Sequence, residues 1–325
     1  MRERPPPTSK QRGIALITAL VIMAIAATIA AAMHWQGSLD TRRTATLIQG
    51  NQAVEYALGA EAWAEQILRR DLNDPKNNPQ TVNLGQDWAA QLPPLPVEGG
   101  QIIGHIEDMQ GRFNLDLLQG QGGQSTQGYF GQFQRLLTAL NLDPNIAYAV
   151  SDWVNAGTVP GNPFGAKDDF YTRLQPPYLT ADAPMTSVSE LQLVKGVTPE
   201  VYTALAPYVC AIPMTTQPGL PNAVTGWLNV NTAPALLIAT LAPNLTADQA
   251  EQIVGARGSQ ALTPGNFSQT TQVHIPNGGV QPGFTSSYFL LTVTAEIGST
   301  HVTMYSLLKS SGNNVIAIRR TFGTL

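Results

Sequence analysis

The sequence predicts an α+β chain with a long N-terminal α-helix, a small antiparallel sheet, and a large α-helical domain inserted between the strands of that sheet. Three observations carry this reading. Residues 14–33 are 20 positions without a charge. Helical spacing then resumes over residues 47–70 without a proline. Strand-like alternation occurs at residues 101–117 and again at 287–322, on either side of a helical middle. With 325 residues, 43% of them hydrophobic, the chain can build one large or two modest cores. Its 29 Gly and 24 Pro predict many turns.

Taken in order, residues 1–13 are a short basic leader, with Arg2, Arg4, Lys10 and Arg12 against Glu3 alone. The apolar run that follows is long enough to cross a bilayer as a helix. The basic flank places the leader in the cytoplasm and exports the remainder. A cleaved signal peptide ending near Ala30-Ala31-Ala32 is one alternative, although its apolar core would be shorter, about 7–15 residues. A plain signal anchor is another. Lys10-Gln11-Arg12-Gly13 before Ile14-Ala15-Leu16-Ile17 resembles the type III signal of type IV pilins and type II secretion pseudopilins. That resemblance implies cleavage by a prepilin peptidase between Gly13 and Ile14, methylation of the new N-terminus, and retention of the apolar helix. Eight of the 20 apolar residues are alanine, and small residues let membrane helices approach closely.

Ala53, Ala57, Ala60, Ala64 and Ile67 continue the helix on one face, with Glu55, Glu61, Glu65, Arg69 and Arg70 on a polar side. A continuous helix over residues 14–70 would be about 85 Å long. Gly37 and Gly50 are the places where it would bend or melt.

Residues 73–96 read as an Asn/Pro/Gln-rich linker with one helical patch at Trp88. Strand positions follow at Ile102, Ile103, His105 and Ile106, then a turn at Gly111, then Phe113, Leu115 and Leu117. Residues 120–128 form a Gly/Gln loop, and helices are expected at 129–140 and from Pro144 to near Trp153. Ser187 with Glu190, Thr198-Pro199-Glu200, Asn231-Thr232-Ala233-Pro234 and Thr246-Ala247-Asp248 open further short helices. These pair into two helix-hairpin modules. A meander closes the chain, with turns at Gly298-Ser299 and residues 311–314. The expected division is 1–13 leader, 14–70 membrane and periplasmic helix, 71–117 with 284–325 as the αβ core, and 118–283 as the inserted helical domain.

Several segments match one family in order and spacing: Gly13 with its apolar run, Glu107-Asp108-Met109-Gln110-Gly111-Arg112-Phe113-Asn114-Leu115, Asp152-Trp153-Val154-Asn155, Gly165-Ala166-Lys167-Asp168-Asp169-Phe170-Tyr171, Ser187-Val188-Ser189-Glu190-Leu191, and Leu228-Asn229-Val230-Asn231-Thr232-Ala233. They resemble the K-type minor pseudopilin of type II secretion. The resemblance implies a pilin-like αβ fold with an inserted helical domain, at the tip of a pseudopilus that exports folded proteins across the outer membrane. It also implies the I- and J-type minor pseudopilins, with the H type in reach, and an inner-membrane secretion assembly platform as partners. A minor pilin of a type IV pilus is the neighbouring reading. Most pilins place a glutamate five residues after the cut, where it meets the N-terminal amine of the subunit above; here Thr18 stands there. An intramembrane carboxylate is costly unless paired, so its replacement suits a subunit with nothing above it.

Members of that family bind calcium in the inserted domain. The matching residues here are Asp152, Asn155, Asp168 and Asp169, with loop carbonyls completing the six to eight oxygens calcium takes. Asn155 and Gly157 stand where acidic residues are common, and Lys167 replaces an expected glutamate. A weakened or single calcium site is therefore expected, against an alternative in which these residues cap helices and bind water.

Other classes fare worse. Without the leader the chain keeps 14 basic and 21 acidic residues, a net charge of −7 that repels phosphate backbones. The module at 228–257 resembles helix-hairpin-helix DNA binders, yet its hairpin, Ala242-Pro243-Asn244-Leu245-Thr246, lacks the glycines whose amides approach phosphate. Nucleic acid is not an expected partner. No phosphate-binding loop, His-Glu-x-x-His or Gly-x-Ser-x-Gly occurs, so no catalytic residue is expected. Sequence spacing alone leaves open a Ser-His-Asp arrangement assembled by the fold. Cys210, the single cysteine, lies in an apolar run and reads as a buried, inert thiol.

Overall fold

The computed structural model describes residues 11–75, 81–120, 124–213, 228–275 and 280–323. Most of the leader, residues 1–10, lies outside them.

Helix α1, Gln11–Asn73, runs without interruption for 63 residues. Neither Gly37 nor Gly50 breaks it: a glycine in a helix interior costs only about 1 kcal/mol relative to alanine. Its C-terminal half buries Ala53, Ala57, Glu61, Ala64, Leu68 and Asp71, a stripe repeating every three or four residues. The alanines bring the helix close to a five-stranded antiparallel sheet of order β1-β2-β5-β6-β7. Its strands are β1 Leu95–Val97, β2 Gly100–Asp108, β5 Tyr288–Ile297, β6 Thr300–Ser311 and β7 Asn314–Phe322. Phe289, Leu291, Val293, Met304, Leu308 and Val315 face α1, as the two-residue period of a strand requires. Two-residue turns join β5 to β6 and β6 to β7, and Gly298 and Gly312 sit there at φ +58°.

Glu61, which the helical pattern puts on the polar side, is buried instead: it lies four residues after Ala57 and three before Ala64, inside the buried stripe. The Arg320 guanidinium on β7 donates to both its oxygens at 2.6–2.9 Å, and Ser306 Oγ donates at 2.5 Å.

Within the stretch expected to be a linker, the region around the expected helical patch at Trp88 is packed, whereas residues 91–96 are exposed. Trp88 is buried edge-on against Phe289 at 5.3 Å, its amide donates to Asp71 Oδ2, and its indole donates to Gln86 Oε1. Strand β1 follows as an edge strand, the position in a sheet that tolerates Pro96.

The expected turn at Gly111 divides 101–117, but the second strand is shorter than expected, since Leu115 and Leu117 fall in a 3-10 turn, Leu115–Leu118. β2 ends at Asp108, a 3-10 turn covers Met109–Gly111, and β3 Phe113–Asn114 pairs in parallel with β4 Val209–Cys210. Cys210 is fully buried, and burial pushes its thiol pKa far up, consistent with an inert group. The remaining helices are α2 Gln124–Ala139, α3 Ile146–Val154, α4 Asp168–Tyr171, α5 Pro199–Leu205, α6 Ala235–Ala239, α7 Ala247–Arg257 and α8 Phe267–Thr271. Helix α2 starts inside the expected Gly/Gln loop. Ser187 and Glu190 form a capping box on a 3-10 helix, Val188–Leu193, and Thr246 with Gln249 forms another on α7. These helices share one core, in which Phe113, Phe133, Leu136, Val150, Trp153, Tyr171, Leu205, Leu237 and Ile253 are buried.

Although β2 and β5 are far apart in sequence, they are neighbours, and Asp108 is registered with Phe289. The chain therefore leaves the sheet for the helices and returns at the same end of two adjacent strands.

Candidate functional site

Two places are candidates for function: the exposed half of α1 and the loops where the family motifs gather. The first half of α1 is exposed among the described residues. Ile14, Leu16, Ile17, Leu20, Val21, Ile22, Met23, Ile25, Ile29 and Met33 are all more than half exposed. Among the described residues this is the one helix long and apolar enough to cross a membrane. Exposed apolar side chains in such density need lipid or neighbouring helices around them. The Thr18 hydroxyl donates to Ile14 O at 3.1 Å and Ala15 O at 3.0 Å, so it is satisfied within its own helix. Gly13 lies in the same helix, and no break separates it from Ile14.

At the joint between sheet and helices, two motifs distant in sequence meet. The Asp108 carboxylate is buried, and Oδ2 accepts from Asn229 Nδ2 at 2.9 Å, Thr232 Oγ1 at 2.6 Å and Ser286 Oγ at 2.6 Å. Oδ1 accepts from the Gln110 amide at 2.8 Å. Asn229 Nδ2 also reaches Val82 O, and the Asn229 amide donates to Gln110 O. Burial raises the Asp108 pKa, while the hydroxyls of Ser286 and Thr232 and the Asn229 amide pull it back. Asn114 adds a second stitch, with Nδ2 donating to Ile212 O and Oδ1 accepting from Ile212 N. Sequence analysis singled out both motifs without assigning this work to them. The legible signal was polar residues of hydrogen-bonding type inside apolar runs.

The four residues expected as calcium ligands are not brought together. Asn155 caps α3: Oδ1 accepts from Gly120 N at 2.7 Å, and Nδ2 donates to Leu118 O and Ser151 O at 2.8 Å. Asp168 Oδ1 accepts from Thr180 N at 2.9 Å and Thr180 Oγ1 at 2.5 Å, and these bonds lower its pKa. Asp169 is exposed and paired with Arg173 at 2.6 Å. Asp152 is the one turned into the loop: Oδ1 accepts from Gly161 N at 3.1 Å, Oδ2 is buried without a hydrogen bond, and burial raises its pKa. Beside it stands the Lys167 ammonium, almost fully buried. It donates to Asp152 O at 2.6 Å, to Asp182 Oδ1 at 2.5 Å and to Asn155 O. Among the described residues, no three of His, Cys, Asp and Glu converge as metal ligands would.

Arg257, the cation closing the helix-hairpin module, donates inward to Val230 O at 2.7 Å and Ala233 O at 2.6 Å. Its Nη1 is thereby engaged by two backbone carbonyls, and the side chain is half-buried. His105 and His301 sit on strands beside Glu107 and Glu296, both exposed.

A family profile described as "Type II secretion system (T2SS), protein K" matches residues 111–214, and a second with the same description matches 228–274. The type II secretion system protein K of Aeromonas hydrophila is 33% identical over 98% of this chain and 99% of its own length. That of Pectobacterium carotovorum is 34% identical over 97% of each. That of Pseudomonas aeruginosa is 31% identical over 95% of this chain and 91% of its own. Among solved structures, a chain in the GspK-GspI-GspJ complex of the enterotoxigenic Escherichia coli type 2 secretion system superposes with a TM-score of 0.66. It covers 87% of this chain and 100% of that one at 23% identity.

Proposed function

Since the chain belongs to the type II secretion system protein K family, we propose that it is the minor pseudopilin that starts and caps the pseudopilus. It does so with other minor pseudopilins of the I and J types, and it works mechanically, without catalysis. The observation that carries this is the division of labour along α1. One rigid helix offers a bare apolar half to the membrane and fixes its other half to the sheet through the Glu61–Arg320 pair and the alanine stripe. Force or displacement applied in the membrane is thereby passed directly to the exported body.

In this reading the N-terminus is cytoplasmic, one helix crosses the inner membrane, and residues beyond it are periplasmic. Prepilin peptidase cuts after Gly13, Ile14 becomes the methylated N-terminus, and alanine-rich helix faces pack against neighbouring subunits. Thr18 asks nothing of a subunit above it, since its hydroxyl is already bonded within α1. The relatives favour this role over that of a type IV pilus minor pilin.

The test is the mature N-terminus and intact mass from cells with and without the peptidase, with secretion of a folded exoprotein as the readout. A start at Ile14 that needs the peptidase, and secretion lost when Gly13 is replaced, are the expected results. A start near His34 independent of the peptidase would remove the membrane half of the mechanism.

A further inference from the structure

The loop between α3 and α4 holds a buried positive charge where the family resemblance called for calcium, and the two are alternatives. We propose that the Lys167 ammonium is a built-in cation that closes this loop in place of a metal ion, so that this chain folds and keeps its helical insert without calcium.

The geometry is that of a cation site filled by a side chain. Lys167 lies just before α4 and is buried along its whole length. Its three N–H donors meet three oxygens from two segments: Asp152 O and Asn155 O at the C-terminal end of α3, and Asp182 Oδ1 from the following loop. The two carbonyls belong to a helix C-terminus, where they lack intrahelical partners and carry the negative end of the dipole. One positive charge thus satisfies a helix end and clamps the 180s loop, whose Asp182 amide also donates to Trp153 O at 3.1 Å.

The same geometry leaves no room for calcium. That ion takes six to eight oxygens at about 2.3–2.6 Å. Here three oxygens already accept from the ammonium. Asp168 and Asp169 are engaged by Thr180 and Arg173, and the Asn155 side chain is engaged by Gly120 and Leu118. The remaining candidate, Asp152 Oδ2, is covered by the loop backbone, since a Cβ on Gly165 would stand 1.8 Å from it. A second ammonium, Lys195 Nζ, holds the same backbone at Gly165 O, 3.0 Å away. A divalent ion entering here would face two lysines at close range, and the like charges would expel it.

The experiment uses the full-length chain in detergent, melted with calcium in excess and again with a chelator. The expected result is the same melting temperature to within about 1 °C, because no binding to the folded state means no shift. Lys167→Met leaves the Asp182 carboxylate and two carbonyls without a donor and is expected to lower the melting temperature by about 5–10 °C. Lys167→Glu exchanges the ammonium for an anion and is expected to make melting calcium-dependent, with calcium restoring several degrees. A wild-type chain that gains more than about 3 °C with calcium, or gives binding heat with it, overturns the proposal without any variant. So does Lys167→Met melting like the wild type, or Lys167→Glu folding yet indifferent to calcium.

Discussion

Two buried polar clusters, one at the joint between sheet and helices and one inside the helical insert, are built from opposite materials. At the joint, the Asp108 carboxyl group is surrounded by four neutral donors, three side chains and one backbone amide. In the α3–α4 loop, the Lys167 cation is surrounded by two backbone carbonyls and one carboxylate. The first point joins parts of the chain more than a hundred residues apart; the second closes a local loop. A buried charge costs several kcal/mol unless it is satisfied. The difference teaches where each kind of satisfaction comes from. Neutral hydroxyls and amides must be recruited by the fold from distant segments, whereas carbonyls at a helix end are available wherever a helix stops.

The largest effect is expected at the joint. Asp108→Ala leaves the Ser286 hydroxyl and the Gln110 amide without an acceptor and takes one acceptor from Asn229 and Thr232, and we expect a loss of about 3–5 kcal/mol. Denaturant unfolding of the full chain measures it; a loss under about 1 kcal/mol would mean that the joint is packed and not bonded.

Asp116, eight residues further on, sharpens the comparison because it is buried with too few donors. Its Oδ1 accepts from the Met185 amide at 2.7 Å, and its Oδ2 has no hydrogen bond. Burial, with Glu190 adding to it, pushes its pKa up to about 7, against the pull of the Met185 amide and Arg319. Since an unfolded aspartate titrates near 3.9, the folded chain takes up this proton more readily than the unfolded one between about pH 4 and 7. Its contribution to stability therefore rises as pH falls through that window, by at most about 4 kcal/mol. Melting from pH 7.5 to 5 is expected to shift upward by several degrees, and Asp116→Asn to reduce that slope. An unchanged slope in the variant would place the titration elsewhere.

The third buried carboxylate, Glu61, relies on a cation from another strand. Arg320→Ala strips it of that partner, leaving Ser306 alone. Arg320 is itself half-exposed, so screening reduces the effect to about 1–2 kcal/mol. Replacing Glu61 and Arg320 together by Gln and Leu is expected to recover most of it, as the double-mutant cycle will read.

How much of this was legible in the sequence follows from how local each signal is. The apolar run, the alanine spacing of α1, the hairpin glycines and the capping residues Ser187, Thr198 and Thr246 are local rules, and the elements they foretold are present. The order of the family motifs was equally readable, since it needs no geometry. Other features belong to the tertiary structure alone. Glu61 is buried because β7 brings Arg320 opposite it. Residues 81–97 are ordered because Trp88 finds Phe289. Asp168 and Asp169 are engaged by Thr180 and Arg173, and Lys167 turns inward because α3 ends where its ammonium reaches. The long helix α1, the capped short helices and the closing hairpins could be read from the sequence, since they depend on neighbours a few residues away, whereas β1 and β4 could not. Only the tertiary structure decided which charges are buried and what satisfies them, because a partner for a buried charge is set by distance in space and not along the chain.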